Sequence, residues 1–214
     1  MTTKTDPDRA ARTVRSRYNR VARVYDLEQA LEEPFVFGRL RKALWVEAPP
    51  TGSILEVGVG TGINMRHYPP GARMTAIDIS DRMLAKAKAR AQRDHVNVDL
   101  ALMDAQHLDF ADNTFDAVVA TCVFCSVPDP LAGLREILRV LKPGGRALLL
   151  EHVRSENAIV GKAMDLLNPI AVRLSGANIN RRTVENVRTA GFAGLQVNSH
   201  AFGLIKTIRA TKAR

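Results

Sequence analysis

Between residues 53 and 153 the chain alternates short, almost wholly apolar runs with segments whose apolar residues recur every three or four positions. Runs that are apolar at successive positions are typical of strands buried on both faces of a parallel sheet. Strands are predicted at 53–59, 73–79, 97–103, 115–124 and 146–153, and helices at 61–68, 81–93 and 130–141. Repeated strand–helix units of this kind predict a doubly wound α/β fold.

The segments on either side extend this unit without adding a second domain. Two helices are predicted upstream, at 26–33 and 34–47, and two downstream, at 159–174 and 182–190. Strands at 194–202 and 204–211, joined by Gly203, predict a terminal hairpin. Together they give a three-layer sandwich with a mostly parallel seven-stranded sheet and extra N-terminal helices. A length of 214 residues suits a single domain over 1–214.

The composition excludes several other classes of protein. Hydrophobic residues make up 46% of the chain and charged residues 25%, which excludes a disordered chain. Two cysteines are too few for a disulfide framework or a four-cysteine zinc site, and no metal site is predicted. The longest apolar run, 117–127, is far shorter than the ~20 residues of a bilayer span, and the first twenty residues hold no signal-peptide core. We therefore expect a cytoplasmic protein, soluble or peripherally associated with the inner face of the membrane.

A glycine-rich loop follows the first predicted strand. Gly58, Gly60 and Gly62 stand where that strand should turn into a helix. Glycine permits positive φ and a close approach of the backbone to a ligand, and amide groups at a helix start face anionic groups. Because ligands of open α/β sheets bind beyond the carboxyl ends of the strands, this loop predicts a cofactor site.

Carboxylates near this loop distinguish between two nucleotide cofactors. Asp78 ends the second strand, where it could accept hydrogen bonds from both hydroxyls of an adenosine ribose, as NAD also requires. However, the glycine spacing is G-x-G-x-G, and Glu56 would repel a pyrophosphate but suit an ammonium. Asp104, after the third strand, could accept from an adenine amino group. S-adenosylmethionine, with its carboxylate, ammonium, sulfonium, ribose and adenine, explains this whole pattern.

These residues resemble the ordered motifs of class I S-adenosylmethionine-dependent methyltransferases. The resemblance rests on residues 55–63, Asp78, 104–105, 115–116 and 140–145, and covers roughly 53–153. It implies a Rossmann-like methyltransferase fold with S-adenosyl-L-methionine as cofactor. The cofactor-binding residues that it implies are Tyr18, Glu56, Gly58, Gly60, Gly62, Asn64, Asp78, Ile79, Met83, Asp104, Ala105 and Cys122.

Cys122 also forms a C-x-x-C pair with Cys125, which would permit redox chemistry. The pair ends an apolar strand and does not open a helix, so a place in the cofactor pocket is the favoured interpretation for Cys122. Its backbone carbonyl could meet the ammonium of the cofactor.

The first 25 residues hold more than half of the net charge of +9, with seven basic residues against two acidic ones. On a helical wheel the apolar residues of 9–25 form one stripe about 120° wide, and the arginines lie outside it or at its border. Three interpretations are open: a terminal helix packed on the core, an interfacial helix on anionic lipid, or a nucleic-acid arm. A helix that also covers the cofactor as a lid satisfies the first two.

Two further resemblances concern the methyl acceptor. Residues 18–26, Y-x-x-x-A-x-x-Y-D, resemble the opening of the quinone-biosynthesis and bacterial phospholipid N-methyltransferases, in which this helix covers the cofactor and helps form the acceptor site. Glu151-His152, after the fifth strand, is similar to a pair in the phospholipid group and in alkyl-thiol methyltransferases. Tyr25, Glu151 and His152 are therefore predicted to be catalytic.

The predicted acceptor is a membrane phospholipid. Asn180 and Arg181 stand at a helix start, where amides and guanidinium groups hold phosphate, and with Tyr25 they are the predicted substrate-binding residues. No Asn/Asp-Pro-Pro-aromatic box follows the fourth strand, so a nucleic-acid substrate is not expected. The resemblance implies methylation of phosphatidylethanolamine towards phosphatidylcholine, with the N-terminal helix on anionic membrane. A quinone or thiol acceptor is the alternative, and a dinucleotide oxidoreductase or a non-catalytic binding module is a weaker one.

Overall fold

The computed structural model of the protein describes residues 7–22, 25 and 37–214. A seven-stranded sheet forms its centre, in the order β3-β2-β1-β4-β5-β7-β6. The strands are β1 (Thr51–Val57), β2 (Gly71–Asp78), β3 (Asp99–Leu102), β4 (Phe115–Thr121), β5 (Leu141–His152), β6 (Ala193–His200) and β7 (Ile205–Thr211). All neighbouring strands pair in parallel except β7, which runs antiparallel to both β5 and β6. The predicted mostly parallel sheet with a terminal hairpin is confirmed.

Helices cover both faces of this sheet. They are α1 (Pro7–Val21), α2 (Gly38–Val46), α3 (Asp81–Arg93), α4 (Pro130–Val140), α5 (Ala158–Ser175) and α6 (Thr183–Ala190). Helices α4 and α6 pack in the cluster on one face, and α2 and α3 pack against the other. The three-layer sandwich is therefore confirmed. None of the helices that the structure describes combines the length and apolarity needed to span a bilayer.

Side-chain caps place the starts of several helices beside the carboxyl ends of the strands. The Ser80 hydroxyl accepts a hydrogen bond from the Met83 amide at the start of α3, 3.1 Å away. The Asp129 carboxylate accepts from the amides of Leu131 and Ala132 at the start of α4, both at 3.0 Å. These caps satisfy amide groups that the first helical turn leaves unpaired. The loops that precede both helices are thereby fixed at one edge of the sheet.

Some predicted boundaries are wrong for local reasons. The helix predicted at 61–68 is only a 3-10 helix, Ile63–His67, because Gly62 is left-handed with φ 85° and Tyr68 is extended, as the residue before a proline tends to be. The strand predicted at 115–124 ends at Thr121, since Cys122 has φ 57°. The helix predicted at 26–33, and the start of the one predicted at 34–47, lie outside the described residues.

Candidate active site

A cavity lies at the carboxyl ends of β1, β2 and β4, beneath α1. The predicted site residues that line it are Tyr18, Tyr25, Gly58, Gly60, Asp78, Ile79, Met83, Asp104, Ala105 and Cys122. Of the predicted cofactor-binding residues, only Glu56, Gly62 and Asn64 lie outside this lining. The alternating strands and helices thus bring one continuous site together from separate loops, as expected for an open α/β sheet.

Asp78 organises the cofactor side of this cavity. One of its carboxylate oxygens accepts a hydrogen bond from the Gly60 amide at 2.8 Å, and the other accepts from the Ser80 amide at 2.9 Å. Burial raises the pKa of Asp78, whereas these backbone hydrogen bonds act to lower it. The carboxylate therefore ties the glycine loop to the start of α3 while it faces the cavity.

The glycine loop passes very close to the segment that follows β4. At Gly58 the φ angle is +71°, and a Cβ atom there would stand 2.5 Å from a methyl carbon of Val123. A Cβ atom at Gly60 would be 3.8 Å from the ring of Tyr25. Glycine at position 58 is thus required both by its conformation and by the close approach of the next loop.

A buried polar network supports the wall behind the glycine loop. Glu56 is fully buried and accepts hydrogen bonds from the Asn64 amide, at 2.5 Å, and from the Tyr68 hydroxyl. Burial raises the pKa of Glu56 to about 7. Arg41 donates to the Asn64 side chain at 3.2 Å and to the Thr121 hydroxyl at 2.7 Å. Glu56 and Asn64 therefore act from behind the cavity wall, whereas Thr121 lines it.

The N-terminal helix α1 covers the cavity. Val14 and Tyr18 line it, and the Tyr18 hydroxyl lies 2.5 Å from the Ser126 hydroxyl on the opposite wall. Asn19 accepts a hydrogen bond from the Ser80 hydroxyl at 2.6 Å, which holds α1 against the start of α3. The apolar stripe of α1 thus faces inward. Exposed arginines occupy the outer side of the helix at positions 9, 12, 15 and 20.

The predicted catalytic residues Glu151 and His152 lie outside the cavity lining. The Glu151 side chain is fully buried, and its Oε1 accepts hydrogen bonds from the amides of Val123 and Phe124 at 3.0 and 3.2 Å. It does not line the cavity but holds the segment after β4, and its catalytic role stays a prediction. His152 projects to the opposite face of the strand, is half-buried and also lies outside the lining. Burial lowers the pKa of His152, and its catalytic role stays a prediction.

Of the three predicted substrate-binding residues, Tyr25 lines the cavity, Arg181 contacts a lining residue and Asn180 does neither. Arg181 donates to the carbonyl of Val127, a lining residue, at 2.7 Å, and its buried Nε has no hydrogen-bond partner among the described residues. The Asn180 amide instead donates to the Asp165 carboxylate at 3.0 Å, so this group is already engaged away from the cavity. The phosphate-binding role of Arg181 stays a prediction, and the Asn180 side chain is engaged by Asp165.

Several functional residues were missed by the sequence analysis. Ser126 faces Tyr18 across the cavity, and Arg41 carries a buried charge beside Glu56. The one available signal for Arg41 was a basic residue within the apolar pattern of the predicted helix 34–47.

Cys125 is buried, and burial raises its pKa to about 12, so the thiol stays protonated at neutral pH. The raised pKa of the Cys125 thiol disfavours the redox interpretation, because thiol–disulfide exchange requires a thiolate.

The side chains that line the cavity indicate which cofactor the site can hold. The lining contains the carboxylates of Asp78 and Asp104 but no lysine, arginine or histidine among the described residues. A pyrophosphate would find no cationic side chain to pair with in this lining. A sulfonium cofactor carries no phosphate and so needs no such side chain. The described residues also contain no group of three or more side chains arranged to hold a metal ion. The site therefore fits S-adenosylmethionine better than a dinucleotide.

Fold and site together define a class I methyltransferase, and comparisons with known proteins agree. Residues 55–149 match the model of a methyltransferase domain family. A possible histamine N-methyltransferase from Thermotoga maritima has the same fold, with a TM-score of 0.70 at 22% identity, over 93% of this chain and 99% of that one. A thiol S-methyltransferase from Homo sapiens is 33% identical over 81% of this chain and 72% of its own length. The chain belongs to the S-adenosylmethionine-dependent methyltransferases, and S-adenosylmethionine is its cofactor.

The relatives act on different acceptors. A phosphatidylethanolamine N-methyltransferase from Cereibacter sphaeroides is 38% identical over 53% of this chain and 58% of that protein. A ubiquinone/menaquinone biosynthesis C-methyltransferase from Saccharophagus degradans is 32% identical over 76% of this chain and 68% of that protein. The names of these relatives therefore leave the acceptor of this chain open between nitrogen, sulfur and carbon.

Glu151→Gln is expected to make the free energy of unfolding less dependent on pH. Burial raises the pKa of Glu151 from its ordinary 4.5 to about 7, so the folded state retains a proton that the unfolded chain loses between these values. The stability of the wild type therefore falls as pH rises through this window. The variant should reduce that fall by about 2 kcal/mol, measured by urea unfolding at pH 5 and pH 8.

Glu156→Gln is the matched control, because Glu156 is exposed and its pKa is lowered by its ion pair with Lys206. Its removal should not flatten the pH dependence. Equal pH dependence in wild type and Glu151→Gln would show that the burial of Glu151 does not control its ionisation.

Proposed function

We propose that the protein methylates the amino nitrogen of phosphatidylethanolamine, and then its methylated products, at a membrane surface. The observation that carries this proposal is the pair of tyrosines, Tyr18 and Tyr25, in a cavity whose lining, over the described residues, contains no basic side chain. The relationship to a phosphatidylethanolamine N-methyltransferase supports it. The proposal concerns the acceptor alone, since the cofactor is the same for every candidate.

The tyrosines favour an acceptor that becomes cationic. When bound, S-adenosylmethionine supplies an electrophilic methyl group on its sulfonium. An amine that takes up this methyl becomes a substituted ammonium, and aromatic faces and hydroxyl oxygens stabilise such a charge. A thiolate acceptor becomes a neutral thioether instead, so the same surroundings would stabilise its product less. Tyr18 and Tyr25 therefore stabilise a positively charged amine product more strongly than a neutral thioether product.

The same side chains limit how the amine loses its proton. Burial raises the pKa of both Tyr18 and Tyr25, so they stay neutral and do not serve as bases at pH 7. The Tyr18 and Ser126 hydroxyls share a hydrogen bond of 2.5 Å. This pair supports transfer of the proton along hydroxyl groups towards water, and positioning then provides most of the catalysis.

Arg181 is expected to contact the lipid phosphate. The phosphate of phosphatidylethanolamine is two carbons from the nitrogen, and Arg181 lies beside Val127 at the cavity wall. Arg181→Lys should raise KM for the lipid about tenfold with little change in kcat, because a bidentate contact to phosphate is lost. Steady-state kinetics on mixed micelles measures this change.

Arg182→Lys is the control for this variant, since Arg182 is exposed and faces Glu185. It should leave KM unchanged. Binding of S-adenosylhomocysteine should be the same in both variants. A KM for lipid that Arg181→Lys leaves unaltered would remove Arg181 from the acceptor site.

The deciding experiment is transfer of a labelled methyl group. Vesicles of phosphatidylethanolamine, with and without phosphatidylglycerol, are offered beside an alkyl thiol and a quinone precursor. We expect label in the lipid headgroup. Label in the thiol alone would establish the second candidate, thiol S-methylation, which the human relative favours through its longer alignment. Asp78→Ala, which should transfer much less label to every acceptor at a low concentration of the labelled cofactor, is the negative control.

A further inference from the structure

Helix α5 presents apolar side chains to solvent. Ile159, Leu166, Leu167 and Ile170 are between 51% and 81% exposed. Their spacing places them on one side of the helix. We call these four residues the α5 face. A patch of this kind on a folded protein marks an interaction surface.

The other side of α5 packs on the protein and fixes the orientation of the helix. Met164 is buried, and its sulfur accepts from the Ser155 amide at 3.3 Å. The Asn168 side chain donates to that of Asn178 at 3.1 Å. The helix is therefore anchored along its inner side, and its outward apolar side is a stable feature of the fold.

The α5 face lies near the cavity. Asn178 accepts a hydrogen bond from the Asn168 side chain of α5. Asn178 in turn donates from its backbone and its side chain to the carbonyl of Cys125, at 2.8 and 2.9 Å. Cys125 belongs to the segment after β4 that forms the cavity wall. The hairpin tip is attached nearby, because the Val153 amide donates to the Leu204 carbonyl at 2.8 Å. The inner side of α5 is therefore joined to the cavity wall through Asn178.

Charges around the α5 face indicate an anionic partner. Lys162 and Arg173 are exposed at its flank and form no ion pair among the described residues. Asp165 is the one acidic residue of α5, and it is held by Arg154 at 2.8 Å. Arg17 of α1 lies beside Gly176 at the end of α5, so the basic side of α1 borders the same edge.

We propose that the α5 face docks on the surface of a bilayer that contains anionic lipid. Apolar side chains between basic flanks are typical of helices that lie in a membrane interface. This inference rests on the proposed function for the choice of a lipid partner. It also revises the expectation for α1, because the apolar stripe of α1 faces the cavity. In this arrangement the arginines of α1 contact the anionic headgroups, and the apolar side chains of α5 insert into the membrane interface.

The test is flotation of the full chain with vesicles of phosphatidylethanolamine and phosphatidylglycerol. The double variant Leu166→Glu/Ile170→Glu should lower the fraction bound to vesicles about tenfold or more, because it puts two charges into the apolar interface. Val46→Glu is the matched control: Val46 is 75% exposed but ends α2, before β1, at the opposite edge of the sheet. It should float like the wild type. Melting temperatures verify that all three proteins are folded.

Two outcomes would overturn the docking proposal. One is equal flotation of the wild type and the double variant. The other is a wild-type dimer that the double variant converts to a monomer, since the α5 face would then bind a second copy. Methyl transfer to a short-chain, monomeric phosphatidylethanolamine separates this proposal from the proposed function. If docking is right and the acceptor wrong, the wild type floats but does not methylate this lipid.

Discussion

Asp78→Ala is expected to weaken the binding of S-adenosylhomocysteine about 100-fold while the chain stays folded. The carboxylate lines the cavity, where it is predicted to accept from the ribose hydroxyls, and it accepts hydrogen bonds from the Gly60 and Ser80 amides at 2.8 and 2.9 Å. Its removal loses the charge-assisted hydrogen bonds to the ligand and frees the glycine loop, at a combined cost of about 3 kcal/mol in binding. Isothermal titration calorimetry measures the dissociation constant directly.

Asp99→Ala controls for the loss of one negative charge at a position outside the cavity. Asp99 is exposed and begins the neighbouring strand β3, at the edge away from the cavity. Its removal should leave binding within about twofold of the wild type, as is usual for surface substitutions. Binding by Asp78→Ala as tight as by this control would show that the Asp78 carboxylate does not hold the ligand.

Gly58→Ala is expected to reduce binding at least as strongly, for a steric reason. The added Cβ would stand 2.5 Å from Val123, at a φ of +71°. The loop cannot accommodate it without moving away from the segment after β4, and the cavity loses its shape. We expect a binding loss of about 100-fold and a destabilisation of about 3 kcal/mol, of which strain at positive φ accounts for about 1–2 kcal/mol.

Gly203→Ala isolates the strain from the clash. Gly203 has a φ of +84°, yet a Cβ atom there would meet nothing within 4 Å. This variant should lose about 1–2 kcal/mol of stability and retain full cofactor binding. If both variants behaved alike in calorimetry and in urea unfolding, the contact between the glycine loop and Val123 would have no importance for the site.

The cofactor-binding half of the site was predictable because its position follows from the order and direction of the strands and helices. Once strands and helices alternate, the ends of β1, β2 and β4 must meet at one edge of the sheet. Gly58, Asp78 and Asp104 then converge without any knowledge of side-chain packing, and the structure confirms that all three line one cavity.

The acceptor half depends on contacts that sequence patterns do not specify. Strand residues alternate between faces, but the sequence does not say which buried partner each one meets. Glu151 follows a predicted strand as expected, yet it binds the amides of Val123 and Phe124 inside the protein. The pairing of Tyr18 with Ser126 joins residues 108 positions apart, beyond the reach of any local signal.

The strand order β3-β2-β1-β4-β5-β7-β6 has an evolutionary consequence. All the cavity-lining residues except those near the N-terminus come from the stretch between Val57 and Pro128. Arg181 and helix α5 come from the chain after β5. Mutations in these later segments can therefore accumulate, and the acceptor can change, while cofactor affinity stays under separate selection. If the later segments bind the acceptor, as the proposed function holds, the acceptor can be changed without altering the stretch that lines the cofactor cavity.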